Sequence, residues 1–272
     1  MAREAFFLPA EQGYRFCLYT PASGNREKAA LIYLHPFAEE LNKTRRMVAL
    51  QVKALAEAGY SVLQIDLLGC GDSSGDFGDA TWDGWLADVE LACQYLRQRS
   101  TAPIWFWGLR VGCLIAASAA PRLPEKVNFL FWQPMLSGQV VFQQFLRLAA
   151  AGALFDADGG KGVVARLKTA LAAGKEIEVA GYRLSPLLAN PLVLAEVNPL
   201  NGVTSNLIWL DVSSREKPEI SLTTTAQLDN WRNAGHQVEH QTVSGPGFWQ
   251  STEIELAPAL FDATLAALEA AQ

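Results

Sequence analysis

Short apolar segments alternate with longer amphipathic ones along this chain, and that alternation limits the fold more than any other feature. Nearly uninterrupted apolar runs are typical of strands that helices cover on both faces. We predict seven strands, at Tyr14–Thr20, Ala29–His35, Ser61–Leu67, Pro103–Gly108, Asn128–Pro134, Asn206–Val212 and Gln237–Val243. The helical patterns between them indicate an α/β fold with a mostly parallel sheet and right-handed crossovers.

One interval departs from this alternation. Residues 135–205 contain helical patterns but no convincing strand. We therefore predict a core made of residues 1–134 and 206–272, with residues 135–205 inserted as a helical cap over the carboxyl ends of the strands. An ordinary crossover with long loops is the alternative interpretation.

Composition excludes several classes of protein. The 272 residues carry a formal net charge of −6, which argues against a nucleic-acid partner because such proteins need a basic surface. No apolar stretch is long enough for a transmembrane helix, and we expect no signal peptide. The four cysteines form no CxxC pair, so we expect reduced thiols, a cytoplasmic location and neither a metal nor a cofactor. Self-association into a homodimer stays open.

The segment after the fourth predicted strand has the outline of a catalytic turn. Gly108 and Gly112 flank a three-residue stretch centred on Arg110, and a helix of small residues follows. This is the G-x-S-x-G pattern of a nucleophile elbow with arginine in place of serine. Arginine stays protonated and offers no lone pair, so it cannot be the nucleophile.

Other segments place this turn in a known superfamily. The first long strand ends in His35-Pro36-Phe37, and "DLLGCGDSSG" (Asp66 to Gly75) follows the next strand. With the elbow and the insertion, this order resembles the α/β-hydrolase superfamily over nearly the whole chain. The resemblance implies an α/β-hydrolase fold with a central sheet of about eight strands, and an oxyanion turn at residues 35–37.

A narrower resemblance rests on "HPFAEELNKTRRM", "FWGLRVG", "WQPMLSGQ", "QFLRL" and "GYRLSP". These segments are similar to the exosortase A system-associated hydrolase type 2 family. The resemblance implies that arginine at the elbow is a family trait. It also implies an association with bacterial exosortase and exopolysaccharide systems, and a nominal hydrolase without a defined reaction.

A second G-x-S-x-G pattern lies at Gly71–Gly75, with Ser73 in the middle. A nucleophile elbow needs a strand that ends at its first glycine and a helix that starts at once. Ser73 instead lies in a loop rich in glycine and aspartate. We interpret this loop as structural and keep Ser73 as nucleophile only as a minor alternative.

The other members of a catalytic triad are missing or doubtful. The base should follow the last strand, but residues 241–255 contain no histidine. His236 and His240 precede that loop, and we interpret both as structural or surface residues. Asp211 or Glu216 could occupy the position of the acid, although we expect neither to have a histidine to orient. A conventional serine hydrolase is therefore not expected.

The elbow keeps features that suit an anion. A guanidinium at a helix N-terminus, beside the N–H groups of Phe37 and Val111, would receive a carboxylate, phosphate or sulfate. Glu39 or Glu40 could instead pair with Arg110 in a structural ion pair, and an anionic ligand could displace that carboxylate.

Further candidates surround the turn. His35 belongs to the oxyanion turn, Trp107 and Trp132 lie at strand ends, and Asn42 shares a predicted helix face with cationic residues. The first hypothesis is a binding protein for a small anionic molecule or an acyl or glycosyl metabolite. The second is an enzyme with a non-serine mechanism, in which Glu39, Glu40 or Cys70 would supply the chemistry.

Overall fold

The computed structural model of the protein describes residues 3–24, 26–152 and 162–272. Its strands are β1 (Glu4–Pro9), β2 (Tyr14–Thr20), β3 (Ala29–Leu34), β4 (Tyr60–Ile65), β5 (Ile104–Leu109), β6 (Asn128–Trp132), β7 (Ile177–Val179), β8 (Tyr182–Leu184), β9 (Asn206–Ser213) and β10 (Gln237–Ser244). Eight of them form one sheet in the order β1-β2-β4-β3-β5-β6-β9-β10. The strands from β4 to β10 in this order run parallel, while β1 and β2 are antiparallel to their neighbours.

The helices are α1 (Glu40–Glu57), α2 (Trp82–Arg97), α3 (Val111–Ala119), α4 (Gly138–Gly152), α5 (Val163–Ala172), α6 (Pro186–Leu194), α7 (Leu222–Asn233) and α8 (Ala259–Ala270). Side chains of α1 and α8 form one apolar core with one face of the sheet. Those of α2, α3 and α7 form another core with the opposite face. This double cover explains why every residue of β3, β5 and β6 is buried. No described helix is long and apolar enough to cross a membrane.

All seven predicted strands are confirmed to within about two residues, and the sheet gains one strand that the sequence did not suggest. The additional strand, β1, is mostly exposed and forms an antiparallel pair with β2 at the edge of the sheet. An edge strand of this kind lacks the continuous apolar run by which the central strands are recognised.

The predicted insertion contains α4, α5 and α6, and the prediction that it has no strand is wrong. β7 and β8 form an isolated hairpin that is closed by Ala180 and Gly181, both with positive φ. Strands of three residues are too short to show an alternation of apolar and polar residues. The turn residues, alanine and glycine, are not one of the residue pairs by which such hairpins are recognised. α4 contacts α3, and α6 contacts α2. Residues 153–161 of the predicted insertion lie outside the described residues.

Candidate functional site

The turn between β5 and α3 holds Arg110 in an uncommon backbone conformation, with φ 57° and ψ −112°. Three backbone hydrogen bonds fix it, one of them from the Met135 N–H to the Arg110 carbonyl at 3.3 Å. The Arg110 N–H donates to the Trp132 carbonyl at 3.0 Å, and the Arg110 carbonyl accepts from the Cys113 N–H at 3.1 Å. A non-glycine residue at positive φ is strained, and such strain is found most often at functional turns.

The glycines on either side make this turn possible. A Cβ atom at Gly112 would lie 2.0 Å from the Leu34 carbonyl oxygen, and one at Gly108 would lie 2.6 Å from the Cys113 nitrogen. The first turn of α3 is therefore pressed against the end of β3 and against its own incoming strand. This strand–turn–helix geometry is that of a nucleophile elbow.

The side chain of Arg110 forms an ion pair with Glu40, the first residue of α1. Arg110 Nη2 lies 3.0 Å from Glu40 Oε1, and Nε lies 3.3 Å from both carboxylate oxygens. Only 13% of the arginine side chain and 20% of the glutamate side chain are exposed. The guanidinium carbon also lies 5.2 Å from the centre of the Trp249 ring, within the range of a cation–π contact.

Burial and charge oppose each other at Glu40. Loss of solvent raises the pKa of the Glu40 carboxyl above its ordinary value, and the neighbouring Arg110 guanidinium only partly offsets that rise. Glu39, which precedes it, contacts Lys43 at 3.9 Å and is more exposed. The sequence leaves open which of the two glutamates pairs with Arg110, and in the structure it is Glu40.

A cavity of about 370 Å³ opens beside this ion pair. Its charged lining residues are Glu39, Glu40, Arg110 and Arg147. Its apolar lining residues are Phe37, Ala38, Val111, Met135, Val141, Phe145, Leu148 and Trp249, and Gln144 and Gln250 complete it. Helix α4 contributes five of these residues, at positions that repeat along one helix face.

The predicted anion-binding groups Phe37, Val111 and Arg110 thus line the same cavity. Val111 is the first residue of α3, so its N–H has no acceptor within the helix. Phe37 is buried, and its ring contacts Phe77 and Phe145 at 5.3 and 5.2 Å between ring centres. Position 249, which follows the last strand, carries the tryptophan that faces the guanidinium. No sequence pattern predicts that contact.

Three other predicted site residues do not line this cavity. Trp107 and Trp132 are fully buried and face the core beneath α1 and α8, where Trp132 Nε1 donates to Thr264 at 3.0 Å. The ring of His35 is also buried, with one nitrogen 2.8 Å from the Pro36 carbonyl and the other accepting from the Leu67 N–H at 3.4 Å. Burial lowers the pKa of His35. The structure therefore places these three side chains outside the cavity beside Arg110, contrary to the prediction that they surround the site.

Asn42 belongs to a second cavity, of about 550 Å³, which shares only Ala38 with the first. There Arg45 Nε donates to the Asn42 side chain at 3.4 Å, and Arg45 Nη2 lies 3.5 Å from Asp66. The structure therefore places Asn42 away from Arg110, contrary to the prediction, because the two residues from Glu40 to Asn42 rotate the side chain by about 200° around α1.

Asp211 has a histidine partner, contrary to the sequence-based prediction. His240 Nε2 lies 2.9 Å from Asp211 Oδ2, and Trp209 Nε1 donates to Oδ1 at 3.1 Å. His240 lies opposite Trp209 in the β9–β10 register, so it reaches Asp211 diagonally. Neither residue lines the cavity beside Arg110. His236 is buried, and its two ring nitrogens contact Ser205 and Leu200.

The remaining candidates are structural within the described residues. Ser73 is 8% exposed, and its hydroxyl donates to the Asp66 carbonyl while accepting from the Phe16 N–H at 2.9 Å. Cys70 lines the second cavity, but burial raises the pKa of its thiol well above its ordinary value, which disfavours the nucleophilic thiolate. Among the residues described, no group of three or more histidine, cysteine, aspartate and glutamate side chains is placed so that it could hold a metal ion.

Solved structures share this architecture. Est1E from Butyrivibrio proteoclasticus, with bound ferulic acid, superposes with a TM-score of 0.69 at 15% identity, over 98% of this chain and 99% of the other. An α/β serine hydrolase homologue from Coxiella burnetii superposes with a TM-score of 0.56 at 15% identity, over 100% and 99% of the two chains. This protein has the α/β-hydrolase fold. At these identities, the likeness establishes the fold alone.

Sequence comparisons agree with this α/β-hydrolase fold for the amino-terminal part. The family model described as serine aminopeptidase, S33, matches residues 25–158. Human protein ABHD12B is 32% identical over 111 residues, which cover 40% of this chain and 29% of the human protein. Protein RP471 of Rickettsia prowazekii is 31% identical over 41% of this chain and 47% of its own length. The matches thus span less than half of each curated relative.

Proposed function

We propose that this α/β-hydrolase-fold protein binds a small anionic molecule at Arg110 and does not hydrolyse its ligand by a serine mechanism. The observation that carries the proposal is the guanidinium that occupies the nucleophile position of the elbow and lines a cavity. Arginine cannot attack a carbonyl, but it binds carboxylates and phosphates through two parallel hydrogen bonds.

The donors around Arg110 support this proposal. Glu40 occupies Nε and Nη2 of the guanidinium, whereas Nη1 has no hydrogen-bond partner among the described residues. The Val111 N–H adds a donor at the positive end of the α3 dipole. An anion can therefore bind beside Glu40, or it can take the place of the Glu40 carboxylate.

The residues at the other triad positions support the absence of serine chemistry. Trp249 contacts Arg110 from the loop after the last strand, where the superfamily places its base. Asp211 is held by His240 away from the elbow cavity. We infer that the triad is degenerate.

The cellular setting is part of the proposal and rests on other observations. The similarity of "FWGLRVG" and "WQPMLSGQ" to the exosortase A system-associated hydrolases supports a role beside bacterial exosortase and exopolysaccharide systems. The four cysteines are buried as free thiols, which supports a reducing, cytoplasmic compartment. The five α4 residues on the cavity support residues 135–205 as a cap.

The test combines a covalent probe with ligand-induced stabilisation. A fluorophosphonate probe should leave the wild-type protein unlabelled. Acetate, octanoate, inorganic phosphate and sulfate are then screened by thermal shift against wild type, Arg110→Ala and Arg45→Ala. Arg45→Ala is the matched control, because it also removes an arginine that contacts a carboxylate, but at the second cavity.

We expect at least one anion to raise the Tm of wild type and Arg45→Ala but not that of Arg110→Ala. Strong labelling of any serine, or an equal response in Arg110→Ala, would overturn the proposal.

A non-serine enzyme is the second candidate, and Glu40 is the observation that favours it. A buried carboxyl with a raised pKa on a cavity wall is suited to proton transfer. Turnover of an acyl or glycosyl substrate that Arg110→Lys retains and Glu40→Gln abolishes would select this candidate over simple binding.

A further inference from the structure

We propose that the ligand of the elbow cavity is a monocarboxylate with an apolar acyl or aryl body. This inference rests on the proposed function, because it names the chemical class of the anion that Arg110 would bind. It follows from the charge balance, the lining and the volume of the cavity.

The charge balance favours a single negative charge. The charged lining residues balance one another: Glu40 pairs with Arg110, and Glu39 and Arg147 also line the cavity. Each negative charge that a ligand brings therefore adds to a neutral set of side chains, in a site that is partly shielded from solvent and where charge–charge energies exceed those in water. A phosphate monoester would bring more negative charge than a carboxylate. A sulfate monoester would bring three oxygens that need hydrogen-bond donors, whereas the guanidinium already donates to Glu40 from two of its three nitrogens. A carboxylate matches the donors of Arg110 Nη1 and the Val111 N–H.

The lining favours an apolar body. Val141, Phe145 and Leu148 form a stripe along α4, and Phe37 and Met135 extend it. Four of these side chains are buried, whereas Leu148 is 37% exposed although it lines the cavity. An exposed leucine beside buried aromatic and aliphatic side chains is a surface that a hydrocarbon chain would cover favourably.

The volume limits the length of that body. A cavity of about 370 Å³ holds roughly twelve non-hydrogen atoms if each needs the ~30 Å³ of a water molecule. Octanoate and 3-phenylpropanoate fall within this limit, whereas acetate fills only a small part of it.

Isothermal titration calorimetry with four probes tests the inference on the full chain. Octanoate carries both features, acetate lacks the apolar body, 1-octanol lacks the charge, and octyl phosphate replaces the carboxylate. We expect octanoate to bind at least about tenfold more tightly than acetate, because methylene burial is favourable. We also expect it to bind at least about tenfold more tightly than octyl phosphate.

Two matched variants of α4 locate the apolar body. Leu148→Ser should weaken octanoate binding by about threefold to tenfold, since it removes apolar area from the cavity. Val140→Ser changes a similarly exposed residue of the same helix that does not line the cavity, and should leave binding unchanged. Both side chains are solvent-exposed, so neither variant is expected to unfold the protein.

The outcomes separate this inference from the proposed function. Tight binding of octyl phosphate or inorganic phosphate that requires Arg110 would overturn the carboxylate class and leave anion binding intact. Equal affinities for acetate and octanoate, or equal effects of Leu148→Ser and Val140→Ser, would overturn the apolar body. Binding of octanoate that persists in Arg110→Ala would overturn both proposals.

Discussion

Two five-residue segments of this chain begin and end with glycine, as a nucleophile elbow does, but their central residues lie in different surroundings. In Gly71–Gly75 the central Ser73 is buried and its hydroxyl ties the loop to β2 and to Asp66. In Gly108–Gly112 the central Arg110 lies between a strand and a helix and lines a cavity. The segment with the nucleophilic residue has the wrong surroundings, and the segment with the right surroundings lacks the nucleophile.

The glycines of the two segments are needed for different reasons. In the loop, Gly71 and Gly75 adopt positive φ values that allow the chain to turn. In the elbow, Gly108 and Gly112 have no positive φ and are needed because backbone atoms approach them closely. A sequence pattern therefore indicates a site only where the neighbouring elements place its central residue beside a cavity.

The largest effect expected from this comparison is that of Gly112→Ala. The new methyl group would collide with the Leu34 carbonyl, so we expect the free energy of unfolding to fall by about 3 kcal/mol or more. Gly75→Ala in the loop should lower it by only about 1–2 kcal/mol, the cost of a positive φ. Chemical denaturation of both variants measures this. If both variants lost the same free energy of unfolding, Gly112 would not be needed for its close backbone contact any more than Gly75 is needed for its positive φ.

Arg110→Ala should destabilise the protein by about 2 kcal/mol at neutral pH, because it leaves the Glu40 carboxylate partly buried without its partner. Removal of Arg110 also raises the pKa of Glu40 further, so Glu40 becomes protonated as the pH falls. The loss should therefore shrink between about pH 7 and pH 4. Denaturation at several pH values tests this, and a loss that is constant with pH would argue against the coupling.

Ser73→Ala should lower the free energy of unfolding by about 1 kcal/mol, since the partly buried Phe16 N–H loses its acceptor. Ser74→Ala is the matched control, because Ser74 Oγ accepts from the exposed Tyr14 N–H and should matter less. Ligand-induced shifts in Tm should be the same in both variants. A ligand response that disappears with Ser73 would place the loop in the site.

The smallest effect is expected for Glu40→Gln. Because burial raises the pKa of Glu40 in the folded state, its contribution favours folding at low pH and is lost as the pH rises through that raised value. The glutamine variant lacks this penalty and should be within about 1 kcal/mol of wild type, with its relative stability increasing from about pH 4 to pH 7. The opposite trend would show that Arg110 outweighs burial at this site.

The sheet and the elbow could be predicted from the sequence because each rests on local pattern, whereas the ion pair was one of two alternatives, with Glu39 or Glu40 as the partner of Arg110. Apolar runs identify β3 to β6, and two glycines around Arg110 identify the turn. The partner of Asp211 could not be predicted, because a shift of one residue in the β9–β10 register would turn His240 to the other face. Trp249 was also missed as a partner of Arg110, since its position depends on how the loop after β10 folds back over the elbow.

Helical periodicity also misled the assignment of Asn42. Glu40 and Asn42 are two residues apart on α1, yet they line different cavities because a helix turns by about 200° over that interval. Closeness in sequence along a helix therefore does not bring two side chains to the same cavity.

The close contacts of Gly108 and Gly112 have a consequence for protein engineering. They involve only the backbone, so the scaffold of the elbow does not depend on the identity of the side chain at position 110. A graft of Arg110→Ser with Trp249→His would place a hydroxyl and an imidazole at two positions that already face each other. The extent to which a fluorophosphonate probe labels the introduced serine in the double variant would measure how reactive a serine becomes on this elbow.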